Sequence, residues 1–152
     1  DERFHARLSA VSKVYEYVID NAPVADVFAR KYSCRVEERL NVEDMRKAAS
    51  LLIGTHDYIS FCGNKKFKKS SVRTVTDIGI AETDGKIRIS FIGDGFLQNM
   101  VRIMAGTLIE VGLGKREAAT MPAIIEAKSR EAAGMMAPPE GLFLKEVYYG
   151  VL

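Results

Sequence analysis

The chain has 152 residues, 47% hydrophobic and 28% charged, with 22 basic and 20 acidic side chains. A domain of this size buries roughly 68–70% of the surface its unfolded chain exposes, so a core can form without disulfide or metal staples. That excludes a disordered tail, a collagen-like repeat and a mini-protein, and every apolar run falls well short of the roughly 20 residues a bilayer crossing needs.

The strand pattern comes first. From Arg7 to Ile19 apolar residues recur at period two, with Val11, Tyr15, Tyr17 and Ile19 on one face and Val14 and Val18 on the other. Asn21-Ala22-Pro23 breaks the run, and residues 24–40 read as an irregular excursion anchored weakly by Phe28, Tyr32 and Val36. Asn41 is an N-cap for a helix with Glu43 and Asp44 in its first turn, apolar Met45, Ala48, Ala49 and Leu52 on one stripe, and an end at Gly54. Thr74–Ile80 and Lys86–Phe91 form a hairpin around Asp84-Gly85.

After Gly93-Asp94-Gly95 a second helix carries Met100, Met104, Leu108 and Val111 and stops at Gly112 or Gly114. A third runs over about Met121 to Ser129, Ala137-Pro138-Pro139 forbids its continuation, and Leu142 to Tyr149 is a final strand. The order predicts one α+β domain over residues 1–152, a mixed or antiparallel sheet with helices on one face. A doubly wound fold would need regular strand and helix alternation with a glycine-rich first turn, and the chain has neither.

Cys34 and Cys62 are the two cysteines. No Cys-x-x-Cys or Cys/His spacing suggests a metal, and both are expected to be reduced in a cytoplasmic protein. The first residue is Asp1 and no secretory pattern follows it, so a cut or processed piece of a longer chain is expected.

A net charge of +2 does not by itself imply nucleic acid. Its distribution is uneven: Asn64 to Arg73 holds the five cations Lys65, Lys66, Lys68, Lys69 and Arg73, no acid, and Phe67 in the middle. Basic residues interleaved with an aromatic suit single-stranded nucleic acid; the plain alternative is a solvated loop. Arg102 shares a polar and small-residue strip with Gln98, Asn99, Ala105 and Gly106, which another backbone or a ligand can approach closely; a snorkelling core-edge arginine is the alternative. Gly93-Asp94-Gly95 lacks the third glycine and the lysine of a phosphate loop. His5 and His56-Asp57 lack the spacing of a nucleophile and base, and capping or packing explains the second pair better. The eight aspartates are scattered over strand ends, caps and turns.

Several segments together resemble the tRNA pseudouridine synthase A (TruA) family. They are Phe4-His5-Ala6-Arg7, Lys13-Val14-Tyr15-Glu16-Tyr17, Gly54-Thr55-His56-Asp57-Tyr58, and the most specific, Gly93-Asp94-Gly95-Phe96-Leu97-Gln98-Asn99-Met100-Val101-Arg102 through Leu108. Glu110 to Lys115 and Ala137-Pro138-Pro139-Glu140-Gly141-Leu142-Phe143-Leu144 continue the match.

The resemblance implies a C-terminal half of a homodimeric enzyme that isomerises uridine to pseudouridine in the anticodon arm of tRNA without metal or cofactor. It implies Tyr15 as the tyrosine stacked on the target base, Arg102 as the arginine paired with the catalytic aspartate, and Leu142, or alternatively Leu144, as an apolar wall. It also implies RNA contacts from Arg7, Lys65, Lys66, Lys68, Lys69, Arg73 and Asn99. The family's Arg-Thr-Asp-x-Gly-Val-His-Ala motif, which carries the nucleophile, does not occur in this sequence. The expectation is therefore an inactive fragment of a synthase; the alternative is a non-catalytic module for RNA binding or dimerisation. Tyr58 where phenylalanine is usual, and Met136 where threonine is common, are smaller departures.

Overall fold

The computed structural model describes residues 10–149. Six strands form one sheet: β1 (Ala10–Asp20), β2 (Cys34–Arg35), β3 (Gly54–Asp57), β4 (Val72–Thr83), β5 (Lys86–Gly93) and β6 (Leu142–Tyr149). The order is β2-β1-β5-β4-β3, with β6 also paired to β1. Among the described residues only the two-residue β1–β2 pairing is parallel, so the sheet is mixed but dominated by antiparallel ladders.

The helical layer consists of α1 (Val42–Leu52), α2 (Met100–Gly112) and α3 (Met121–Ala127). Asn41 caps α1 as its side chain predicts, accepting the Asp44 amide at 3.1 Å, while Val42, Met45, Ala48, Ala49 and Leu52 face inward. α2 is apolar on nearly every side, which suits a helix wedged between the sheet and other elements. Tyr17, Ile19, Ile87, Ile89 and Phe91 supply the sheet's side of the core, and Met100, Ile103, Met104 and Leu108 the helix side.

The hairpin turns at Asp84-Gly85, both with positive φ, as a two-residue connection requires. The predicted excursion is tied back by Asn21. Its amide donates to Val36 O and Glu38 O, each at 2.8 Å, and its oxygen accepts the Leu40 amide at 3.1 Å. Residues 26–33 cross the helix-free face beside Val18, held there by the Lys86–Asp26 and Arg35–Asp20 ion pairs.

β3 has no counterpart in the sequence reading, which assigned His56-Asp57 to capping or packing. Both roles exist alongside the strand: Asp57 accepts the Ile59 amide and the Ser71 hydroxyl, and His56 packs edge-on to Tyr58 at 5.5 Å. The Tyr58 hydroxyl donates to Leu52 O at 2.7 Å and Gly54 O at 2.9 Å, which gives a phenol a satisfied place in the core. Cys34 and Cys62 are buried free thiols. No helix among the described residues is long and apolar enough to cross a membrane.

Candidate active site and nucleic-acid groove

Strand alternation puts Lys13, Tyr15 and Tyr17 on the helix-bearing face of β1. Tyr15 lies between Phe91 of β5 and Leu144 of β6; Tyr17 lies between Ile89 and Leu142. The helices cover Tyr17 completely but leave β6 open, so Leu144 is 54% exposed and Leu142 is half-buried. Tyr15 is therefore a half-buried ring at the edge of the core, steadied by an edge-on contact with Phe96 at 5.3 Å. Phe96 in turn lies over Gly93, where an added Cβ would come within 3.1 Å of its ring and 2.8 Å of Thr74 O.

Arg102 enters from α2. Its Nε donates to Ala137 O at 2.8 Å, while the Ala137 amide donates to Arg102 O at 3.0 Å, so helix and incoming segment clasp each other. Its Nη1 reaches Asn99 Oδ1 only at 3.5 Å. The close approach foreseen for this strip is made by residues 134–137: a Cβ on Gly106 would sit 1.8 Å from Met135 O. The Tyr17 hydroxyl donates to Pro138 O at 2.6 Å. Burial pushes that phenol well above its ordinary value, as does Cys34, and the nearby Arg102 charge pulls the other way.

Asn99 adopts a left-handed backbone, φ 60°, at the start of α2 without capping it through its side chain. Gly63 packs against that side chain and donates its amide to Gln98 O at 2.8 Å, docking the start of the cationic loop on this turn. No aspartate among the described residues forms an ion pair with Arg102. Asp94, the nearest in sequence, exchanges hydrogen bonds with Thr74: its Oδ1 accepts the Thr74 amide at 2.9 Å and its own amide donates to Thr74 O.

The structure divides the predicted cationic residues. Lys69 and Arg73 line a groove of about 860 Å3 with Asn64, Phe67 and residues 94–98, joined by Lys13. Lys65 faces a separate cleft of about 260 Å3 beside Lys128, Arg130 and Glu131. Lys66 and Lys68 are exposed and line neither; Arg7 lies outside the described residues. Lys13 and Phe96 were not singled out as site residues from sequence. Lys13 has Tyr15's strand parity, a signal that could have found it, whereas Phe96 needed the fold. No group of three or more His, Cys, Asp or Glu among the described residues is placed to hold a metal.

Against known proteins, a family model described as tRNA pseudouridine synthase matches residues 48–150, a span containing the cationic loop, Asn99, Arg102 and Leu142. The chain belongs to the tRNA pseudouridine synthase family. It is 48% identical to tRNA pseudouridine synthase A of Bacillus subtilis (strain 168) over 149 residues, 98% of this chain and 60% of that one. Proteins of the same name from Acetivibrio thermocellus and Brevibacillus brevis are each 46% identical over 149 residues, 98% of this chain and 61% of theirs. The chain thus spans about 60% of the length of the curated relatives it matches.

Proposed function

We propose that this chain holds the target uridine of a tRNA in a pseudouridine synthase, while the nucleophilic aspartate comes from outside this sequence. The observation that carries the reading is Arg102: a half-buried guanidinium, clasped through Nε, with no carboxylate partner among the described residues. Burying a charge is unfavourable unless it is paired, and a fork-shaped cation that is still partly exposed suits a carboxylate that arrives from elsewhere.

In this reading the uridine leaves its stack and lies on Tyr15, with Leu142 and Leu144 as apolar neighbours on the open side. Arg102 keeps the incoming aspartate ionised and aimed through charge-assisted hydrogen bonds. The aspartate bonds transiently, the N1–C1′ glycosidic bond breaks, the detached base turns and bonds to C1′ through C5, and expulsion of the aspartate with loss of the C5 proton and gain of one at N1 leaves the isomer. Nothing in these steps calls for a metal or cofactor.

The substrate is tRNA, at its anticodon arm, with phosphate contacts from Lys65, Lys66, Lys68, Lys69, Arg73 and Asn99. The assembly is a homodimer, supported by the exposed apolar residues Val24, Val27, Phe28 and Tyr32. Two buried free thiols agree with a cytoplasmic protein.

The test is Arg102→Ala in the full-length protein. Removing one preorganised group that orients reacting charge costs roughly 100- to 1,000-fold in turnover, so turnover should fall by about that much while tRNA affinity stays within a few-fold. Arg102→Lys should not restore it, since lysine lacks the bidentate fork. Full turnover in the alanine variant would remove the assigned role.

A further inference from the structure

The groove beside Tyr15 is larger than the target base needs. Its volume, about 860 Å3, falls in the range of small-molecule sites, and it starts where the Tyr15 site ends. Lys13 stands on the same face of β1 as Tyr15, two residues and about 7 Å along the strand, and Phe96 touches Tyr15 and lines the groove.

The wall has a particular chemistry. Lys13, Lys69 and Arg73 bring three positive charges, and among the described residues none of them forms an ion pair. Arg73 is held in place, its Nη1 donating to Ser70 O at 2.7 Å and to Val72 O at 2.8 Å. Among the described residues the one acid on the wall, Asp94, already accepts the Thr74 amide. Phe67, half-buried and packed on the core, supplies an aromatic surface among these cations, and Asn64 fixes its loop by accepting the Lys66 and Phe67 amides.

We propose that this groove seats the nucleotide next to the target uridine, its base stacked on Phe67 and its phosphate held by Lys13, Lys69 and Arg73. The inference rests on the reading of Tyr15 as the platform for the target base. It assigns a flanking nucleotide to a defined place: cations that track a backbone beside an aromatic that accepts any base are the features by which single strands are bound.

The test is a binding cycle with the full-length protein and an anticodon stem-loop RNA, intact or made abasic at one neighbour of the target uridine at a time. Stacking on an aromatic carries enough energy for a loss of roughly 5- to 150-fold. The wild type should lose that much at one abasic neighbour, Phe67→Ala should lose as much on intact RNA, and the two together no more than either alone. Phe67→Trp should bind as the parent does. Lys69→Gln should make the negative slope of log affinity against log salt shallower by about 0.7, and Phe67→Ala should leave it unchanged.

Wild-type affinity indifferent to both abasic neighbours, or losses that multiply, would overturn the proposal, and the first of these needs no variant to fold. Tritium release from intact RNA by the same wild-type sample separates the layers. Turnover with uncoupled losses overturns the flanking site alone; no turnover overturns the Tyr15 reading and the flanking site with it.

Discussion

Gly106→Ala is the substitution that tests the clasp around Arg102 most sharply. A Cβ at that position would lie 1.8 Å from Met135 O and 2.8 Å from Met135 C, where ordinary van der Waals contact begins at 3.4 Å. The obstructing atoms are backbone, so residues 134–137 must retreat by more than an ångström or α2 must shift. Overpacking of this kind costs typically about 1–3 kcal/mol, and an unyielding backbone puts this case near the upper end. Alanine recovers about 1 kcal/mol of helix propensity, leaving a net loss of about 2 kcal/mol. For a chain of this size that lowers Tm by roughly 4–8 °C.

The same displacement carries Ala137 O away from Arg102 Nε, so turnover of the full-length protein should fall further than the loss of folded protein explains. A denaturant titration and a thermal melt beside the parent read the first effect, and turnover per folded molecule reads the second. A variant as stable and as active as the parent would refute the close approach of this segment to α2.

Ser60 tests the joint between the turn after β3 and the end of α3. Its buried hydroxyl donates to Ile124 O at 2.7 Å and accepts the Ser129 amide at 3.0 Å, so Ser60→Ala strands two backbone groups and should cost about 1–3 kcal/mol in a urea titration; no change would mean that water takes both places. The buried phenols predict an alkaline limit. Burial raises Tyr17 and Tyr58 above the ordinary value of 10.0, and folded-state values raised in this way contribute stability that is complete below that pH and is lost as pH rises beyond it. Tyrosinate absorbance followed against pH should show both rings ionising only as the protein unfolds; their titration near pH 10 in a still-folded chain would contradict the packing.

Much of the fold was legible because its determinants are local. Asn41 with Glu43 and Asp44 marks the start of α1 within four residues, and Asp84-Gly85 needs only its own positive φ to turn the hairpin. The final strand falls on Leu142–Tyr149 as read. What escaped depends on distant partners. β3 is four residues whose strand character comes from pairing Gly54–Asp57 with Val72–Val75, and β2 exists only because Ile19 and Asp20 offer an edge.

Asn21 read as a strand breaker, yet it is the post to which residues 36–40 are tied, a role set by three bonds to residues 15 or more positions away. The site divides along the same line. Tyr15 and Arg102, the proposed platform and guanidinium, stand in motifs legible in the sequence, and Arg102's small-residue strip predicts the close backbone approach that residues 134–137 make. The cationic loop, by contrast, read as one patch, and only the docking of Gly63 on Gln98 separates Lys69 and Arg73, which face the groove, from Lys65, which faces α3's end.

The central claim is that this chain holds the base but does not carry the nucleophile. Tritium release from uridine-labelled tRNA, measured for residues 1–152 and for the same chain extended to the full length of its relatives, tests it directly. The account predicts release by the extended chain and none by the shorter one. Release by residues 1–152 alone would contradict it by showing that a catalytic carboxylate lies within this sequence, and release by neither would favour a module that binds RNA or dimerises without catalysis.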